Sequence, residues 1–254
     1  MIFAGRGFLV VTVDYLSLIS GRPYGVDSIY VYPPRLEDIS QVGYSTYESF
    51  LSIFFLSAVD IGRIIGLEDG QLPSSTTAIQ LITRIPELRA ALLRALSFFL
   101  HADVLYADDV GYCIQRDEHV EYLSLDQIRD IRSVILQFCN IQDDTEIAPV
   151  KFKNARAKEI YEKIQRKKAE KQKASATSNE SLSMTLPNLI SAVAAYSPTY
   201  NYLNIWQLTV YQFYDQFARL NDDLQLKVFG QRWAAWGTDN FDFSVWYRPL
   251  NKHP

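Results

Sequence analysis

Little in this chain can carry redox, metal or nucleophilic chemistry. Its 254 residues include two cysteines and three histidines. Cys113 and Cys139 are too few for a disulfide framework, and a reducing compartment is the simpler reading. Both read as small buried hydrophobes, because neither has an activating base close by in sequence. His101, His119 and His253 share no metal-ligand spacing. His101, near a helix end, reads as a structural cap or dipole partner rather than a ligand. The chain has no P-loop, no GxSxG elbow and no GxGxxG loop. No cofactor is implied, and an enzymatic role is not expected.

Long apolar runs are missing too. The longest fall far short of the ~20 residues that span a bilayer, so no membrane role is expected. The run Phe8–Val13 closes at Asp14 and lacks an extended apolar region and a small-residue cleavage site, so no signal peptide is expected. Net positive charge is absent as well. The formal charge is -4, which argues against bulk attraction to nucleic acid.

What the chain does have is aromatic side chains: 16 Tyr, 14 Phe and 4 Trp. Aromatics are favoured both in cores and at interfaces, so the excess does not choose between them. At 48% hydrophobic and 21% charged, the composition is that of a globular protein with ample core.

The periodicity predicts an α+β fold, mainly α, in two parts. Phe8–Tyr15 and Ser28–Tyr32 read as strands, the second ended by Pro33 and Pro34. A helical turn is expected at Leu36–Ile39. Ser45 or Thr46 opens a helix to about Ala58, with Tyr47, Phe50, Leu51 and Phe54 on its apolar face. Asp60–Leu67 and Thr77–Arg84 read as short helices. Pro86 sits at the first turn of an amphipathic helix to His101. Three short strands follow, at Val104–Tyr106, Tyr112–Ile114 and His119–Leu123. Asp108, Asp109, Gly111 and Asp117 supply turn chemistry between them. Asp103, Asp108 and Asp109 could also gather round a cation, but their spacing fits no EF-hand loop. Ser124 or Asp126 opens a helix to Asn140, with Ile128, Ile131, Ile135 and Phe138 in its stripe.

Composition shifts after Pro149. Lys151–Lys173 holds ten Lys or Arg against three Glu, a local +7, which leaves -11 for the rest of a chain whose total is -4. A nucleic-acid contact is one reading of this basic segment. A solvated helix or tether is the favoured one, because no aromatic interleaves with Lys163–Lys173. Residues 165–186 are poor in apolar side chains and read as a mobile linker. The expected organisation is a mixed domain over 1–150, a basic segment and linker over 151–186, and an all-α, aromatic-rich module over 187–254.

In that module Pro187–Tyr196 reads as an apolar helix. Asn204 reads as an N-cap with Gln207 three residues on, and Leu203 and Leu208 fit a hydrophobic staple around it. Trp206, Val210, Phe213, Phe217 and Leu220 then recur at helical spacing. Trp206 and Phe213 lie one heptad apart and are expected to share a buried surface. A further helix is expected over Asp222–Trp236, before an irregular tail, FDFSVWYRPL. Most of the C-terminal aromatics are needed for the module's own core. Trp233, Trp236, Trp246 and Tyr247 are the candidates for contact with a partner.

Three stretches carry a family resemblance: IYVYPPRLEDISQVGYSTY (29–47), LSLDQIRDIRSVILQFCNIQDD (123–144) and SPTYNYLNIWQLTVYQFYDQFARL (197–220). They resemble a group of bacteriophage proteins encoded near the tape-measure gene in tailed phages of Gram-positive hosts. The resemblance implies a tail assembly chaperone. Such a protein acts in the host cytoplasm and keeps the tape-measure protein, or another tail protein, soluble while the tail tube polymerises. Self-association is left open. The alternative is a nucleic-acid-associated phage protein that uses the basic segment 151–173.

Overall fold

A computed structural model describes residues 11–66, 76–116, 119–141 and 185–237, with Asp242 and Ser244. Among these the protein is mainly α, with two small antiparallel sheets, and so is α+β. Chain contacts divide it into two units: Met1–Thr145 with Gln207–Tyr214, and Glu146–Trp206 with Asp215–Pro254.

Among the described residues the first unit begins at Val11, and Val11–Asp14 belongs to no strand. Val11 O accepts from the Gln137 side-chain amide at 2.8 Å, and Val13 N–H donates to Gln137 Oε1 at 2.9 Å. Side chains of a distant helix thus take the place of a ladder partner, which the apolar composition of Phe8–Tyr15 could not signal. Phe8, Leu9 and Val10 lie outside the described residues. Helix α1, Tyr15–Ser20, follows: the Asp14 side chain accepts from Ser17 N–H, and Gly21 ends it in the left-handed region at φ 66°. Strands β1 (Tyr24–Val26) and β2 (Ile29–Val31) form a hairpin, Gly25 opposite Tyr30.

Helices α2 (Leu36–Val42), α3 (Tyr44–Phe55), α4 (Ala58–Ile64), α5 (Ala78–Arg84) and α6 (Pro86–Leu100) come next. Several begin where local chemistry predicts. Ser57 and Asp60 form a capping box on α4, Thr77 and Gln80 one on α5, and Pro86 opens α6. Helices α3 and α6 pack through rings: Phe54 meets Phe99 edge-on at 5.9 Å, and Tyr47 and Phe50 meet Phe98 at 6.2 and 5.4 Å. His101 caps α6 with a left-handed φ of 49° and stacks on Tyr32 at 4.3 Å, the structural role expected of it.

Strands β3 (Asp103–Ala107), β4 (Gly111–Arg116) and β5 (His119–Leu123) form a meander in the order β3-β4-β5. Its inner face carries Val104, Tyr112, Ile114 and Leu123, all buried. Helix α7, Leu125–Phe138, starts at the Ser124–Gln127 capping box. Its stripe Ile128, Ile131, Ile135 and Phe138 is at most 1% exposed. Burial on that scale contributes about 1.5–3 kcal/mol per side chain, and these residues with Leu96, Phe99 and Leu100 form the core of the unit.

In the second unit, α8 (Leu186–Tyr196) buries Leu186, Leu189, Ile190, Val193 and Ala194. A polar turn follows: Asn201 N–H donates to Asn204 Oδ1 at 2.8 Å, and Asn204 Nδ2 donates to Thr199 O at 2.9 Å. Asn204 therefore closes a turn and does not cap a helix. Ile205–Gln207 is a single 3₁₀ turn, and α9 runs unbroken over Val210–Trp236. The separate helices expected after Asn204 and after Asp222 are thus one helix with a later start. Its opening box is Thr209 with Gln212: Gln212 N–H donates to Thr209 Oγ1 at 3.2 Å, and Thr209 N–H donates to Gln212 Oε1 at 2.9 Å. Leu203 is 90% exposed and staples nothing. The basic segment and nearly all of the linker stretch lie outside the described residues.

Candidate functional site

Helix α9 changes character along its length. Its first turn, in the first unit, is buried: Val210, Tyr211 and Phe213 are at most 2% exposed. Its last turns, in the second unit, are not. Phe229 is 46%, Trp233 50% and Trp236 69% exposed. Steps of four and three residues put these rings on one face of the helix. The helix stops at Gly237, whose left-handed φ of 63° and N–H bond to Trp233 O at 2.8 Å close the final turn. An aromatic stripe therefore ends at a defined terminus.

Of the four sequence-predicted contact residues, the structure brings Trp233 and Trp236 together on that face. Trp246 and Tyr247 lie outside the described residues. Trp233 also has an interaction within the chain, and Trp236 is the most exposed of the three. Phe229 lies outside the sequence-predicted contact residues, although its position seven residues before Trp236 carries the signal. Trp206 is part-buried and donates its indole N–H to Tyr202 O at 2.8 Å. It sits in the 3₁₀ turn of the second unit, whereas Phe213 is fully buried in the first. The heptad expected to pair them is broken because the helix starts between them.

A second apolar surface lies on the open face of the three-stranded sheet. The register sets Leu105 opposite Cys113 and Cys113 opposite Tyr122, one row across all three strands. Leu105 is 47% and Tyr122 61% exposed.

The titratable groups are arranged for structure. Cys139 is buried, accepts a hydrogen bond from the Tyr47 hydroxyl at 3.2 Å, and has its thiol pushed up to about 12 by burial. Burial likewise raises the Tyr47, Tyr112 and Tyr214 phenols above their ordinary value. A thiol so disfavoured as thiolate is no nucleophile at neutral pH. Cys113 is part-exposed. Asp103 and Asp108 lie at opposite ends of the β3 hairpin arm, and Asp108 is 3.8 Å from Arg89, so the three aspartates do not form a cluster. Among the described residues, no group of three or more His, Cys, Asp or Glu is placed to hold a metal ion, and no helix is long and apolar enough to cross a membrane.

No curated protein and no solved structure matches the chain. Residues 171–251 match the family model described as YomV second domain. The match begins inside the stretch read as linker and takes in α8, the 3₁₀ turn and all of α9, aromatic stripe included. That family is phage-derived, of the Bacillus phage SPBc2 type, and the similarity points to a phage protein.

Proposed function

We propose that this chain is a non-enzymatic phage assembly protein that holds an apolar segment of a structural client, and specifically a tail assembly chaperone for the tape-measure protein. The observation that carries the reading is the aromatic face of α9. Phe229 and Trp236 expose large rings one heptad apart, in the stretch similar to the phage-derived family. Exposed aromatics at i and i+7 fit a helical client, which lays its own apolar stripe along them. Removal of that much ring surface from water drives association without any catalytic group.

The site supports reversible capture rather than a permanent complex. Two or three rings on one helix form a small patch, below the area of obligate interfaces. A chaperone that must release its client to a growing tube requires such a patch.

The test is capture of a tape-measure fragment from the same phage by the full chain, with Phe229→Ser and Trp236→Ser as variants. Both residues are exposed, so folding stability should stay within about 0.5 kcal/mol of wild type. Capture should weaken at least tenfold in the double variant. Undiminished capture by a folded double variant would remove this face from the reading.

A further inference from the structure

In the second unit, the turn that follows α8 is held in one shape by its own side chains. Ser197 Oγ accepts from the N–H groups of Thr199 and Tyr200 at 3.2 and 3.1 Å. Asn201 Oδ1 accepts from Leu203 N–H at 2.8 Å, and Asn204 holds Asn201 and Thr199 through the two ends of its amide. The Tyr202 carbonyl accepts from the Trp206 indole, and the Tyr202 hydroxyl lies 2.9 Å from Ser191 Oγ on α8. In the middle of this braced turn stands Leu203, 90% exposed. Tyr202, next to it, and Tyr196, at the end of α8, are 55% and 51% exposed. Ordering the turn costs conformational entropy, and Leu203 returns no burial for it. Within the chain this leucine stabilises nothing. To a partner it is a preorganised apolar knob, whose ordering cost is met before binding.

The chemistry of the turn selects a protein partner. No Asp, Glu, Lys or Arg occurs from Ser197 to Gln207, so the turn offers nothing to a phosphate backbone or a charged lipid surface. Tyr, Ser and Asn around an anchor is the composition of loops that bind protein surfaces. The turn is also continuous with α9, because Tyr196 lies within electrostatic reach of Lys227, two residues before Phe229. Area points the same way. A specific interface takes about 800 Å² from each partner. A fully buried aromatic side chain supplies about 150–250 Å², so Phe229, Trp233 and Trp236 at their exposures offer roughly half of that. Leu203, Tyr202 and Tyr196 offer a similar area in the same unit, and the two together reach the size of a specific, reversible interface.

We propose that Leu203 is a second anchor for the client held by α9, entering as a knob between side chains of the client helix. The inference rests on the client reading and adds the kind of segment bound: an apolar helix with an uncharged hole that takes one aliphatic side chain. The test is calorimetric titration of the tape-measure fragment into the full chain, as wild type, as Leu203→Ser and as the Phe229→Ser, Trp236→Ser double variant. Leu203 is so exposed that Leu203→Ser should unfold at nearly the wild-type temperature. Loss of one buried leucine from the complex should weaken binding by at least about tenfold. The salt dependence should stay that of wild type, because no charge is removed. Asn204→Ala loosens the turn and leaves the knob in place. It should weaken binding in the wild-type background and add nothing to Leu203→Ser. An Asn204→Ala effect that persists undiminished in the Leu203→Ser background would count against a positioned knob. Wild-type affinity in Leu203→Ser, with the double variant weakened, would overturn the inference and leave the α9 reading standing. A wild-type chain that binds no fragment would overturn both.

Discussion

Replacing Gly21 by alanine should destabilise the first unit by about 1–3 kcal/mol. Two effects add. An L residue held in the left-handed region costs roughly 1–2 kcal/mol, and Gly21 sits there at φ 66°. The new Cβ would also come within 2.9 Å of Gln212 Nε2, so the amide must shift and strain its bond to Ile19 O, a loss of up to about 1 kcal/mol. Thr209 gives no relief, because it is 2% exposed and held by the bridge to Arg35. Gly111 is the comparison. It has φ 90° but nothing within 4 Å of its would-be Cβ, so Gly111→Ala should show the backbone cost alone. Urea denaturation followed by circular dichroism measures both, and a double-mutant cycle with Gln212→Ala isolates the contact. The two glycine variants should differ by about 1 kcal/mol, and the difference should shrink in the Gln212→Ala background. Equal costs at Gly21 and Gly111, unchanged by Gln212→Ala, would refute the close approach of Gln212 to Gly21.

Cys113 should take up a thiol reagent in the native protein while Cys139, buried against Tyr47, reacts only on unfolding; mass spectrometry should count one adduct, then two. Stability should fall at alkaline pH. Cys139, Tyr47, Tyr112 and Tyr214 all have folded pKa values above their unfolded ones, so the unfolded chain loses protons first. Their contribution is complete below the ordinary thiol and phenol values and is lost as pH rises through the raised folded ones, which for Cys139 means about 12. Phenolate absorbance should therefore show some tyrosines ionising together with unfolding, and purely gradual titration would count against the buried hydroxyls. Ser124→Ala and Thr209→Ala each remove a capping hydroxyl and should cost about 1 kcal/mol in thermal or urea unfolding.

The parts of the fold legible in the sequence are those whose boundaries rest on neighbouring residues. Pro86 at a first turn and Ser124, one of two candidate caps, place the starts of α6 and α7. The Asp and Gly turn chemistry around 108–111 separates β3 from β4. Errors arise where distant residues decide. Asn204–Gln207 and Thr209–Gln212 are competing cap signals five residues apart. The second wins because Leu208 and Val210 bond to Leu36 and Pro34, far away in sequence. Val11–Asp14 looks like a strand, but its partner is the Gln137 amide. The same limit applies to the site. Phe213 and Phe229 are alike in local pattern, yet one is fully buried and the other half exposed. Sequence could name Trp233 and Trp236 as aromatic and late in the helix, but it could not say which stretch of the stripe stays uncovered.

Calorimetric titration of a tape-measure fragment into the full chain, wild type against the Phe229→Ser, Trp236→Ser double variant, tests the central claim most directly. Thermal unfolding of both proteins would be recorded alongside. The account predicts saturable binding to the wild type, with the negative heat-capacity change of buried apolar surface. It predicts at least tenfold weaker binding to a double variant that unfolds at nearly the same temperature. Equal affinity for the two proteins, or no binding to the wild type at all, would contradict it.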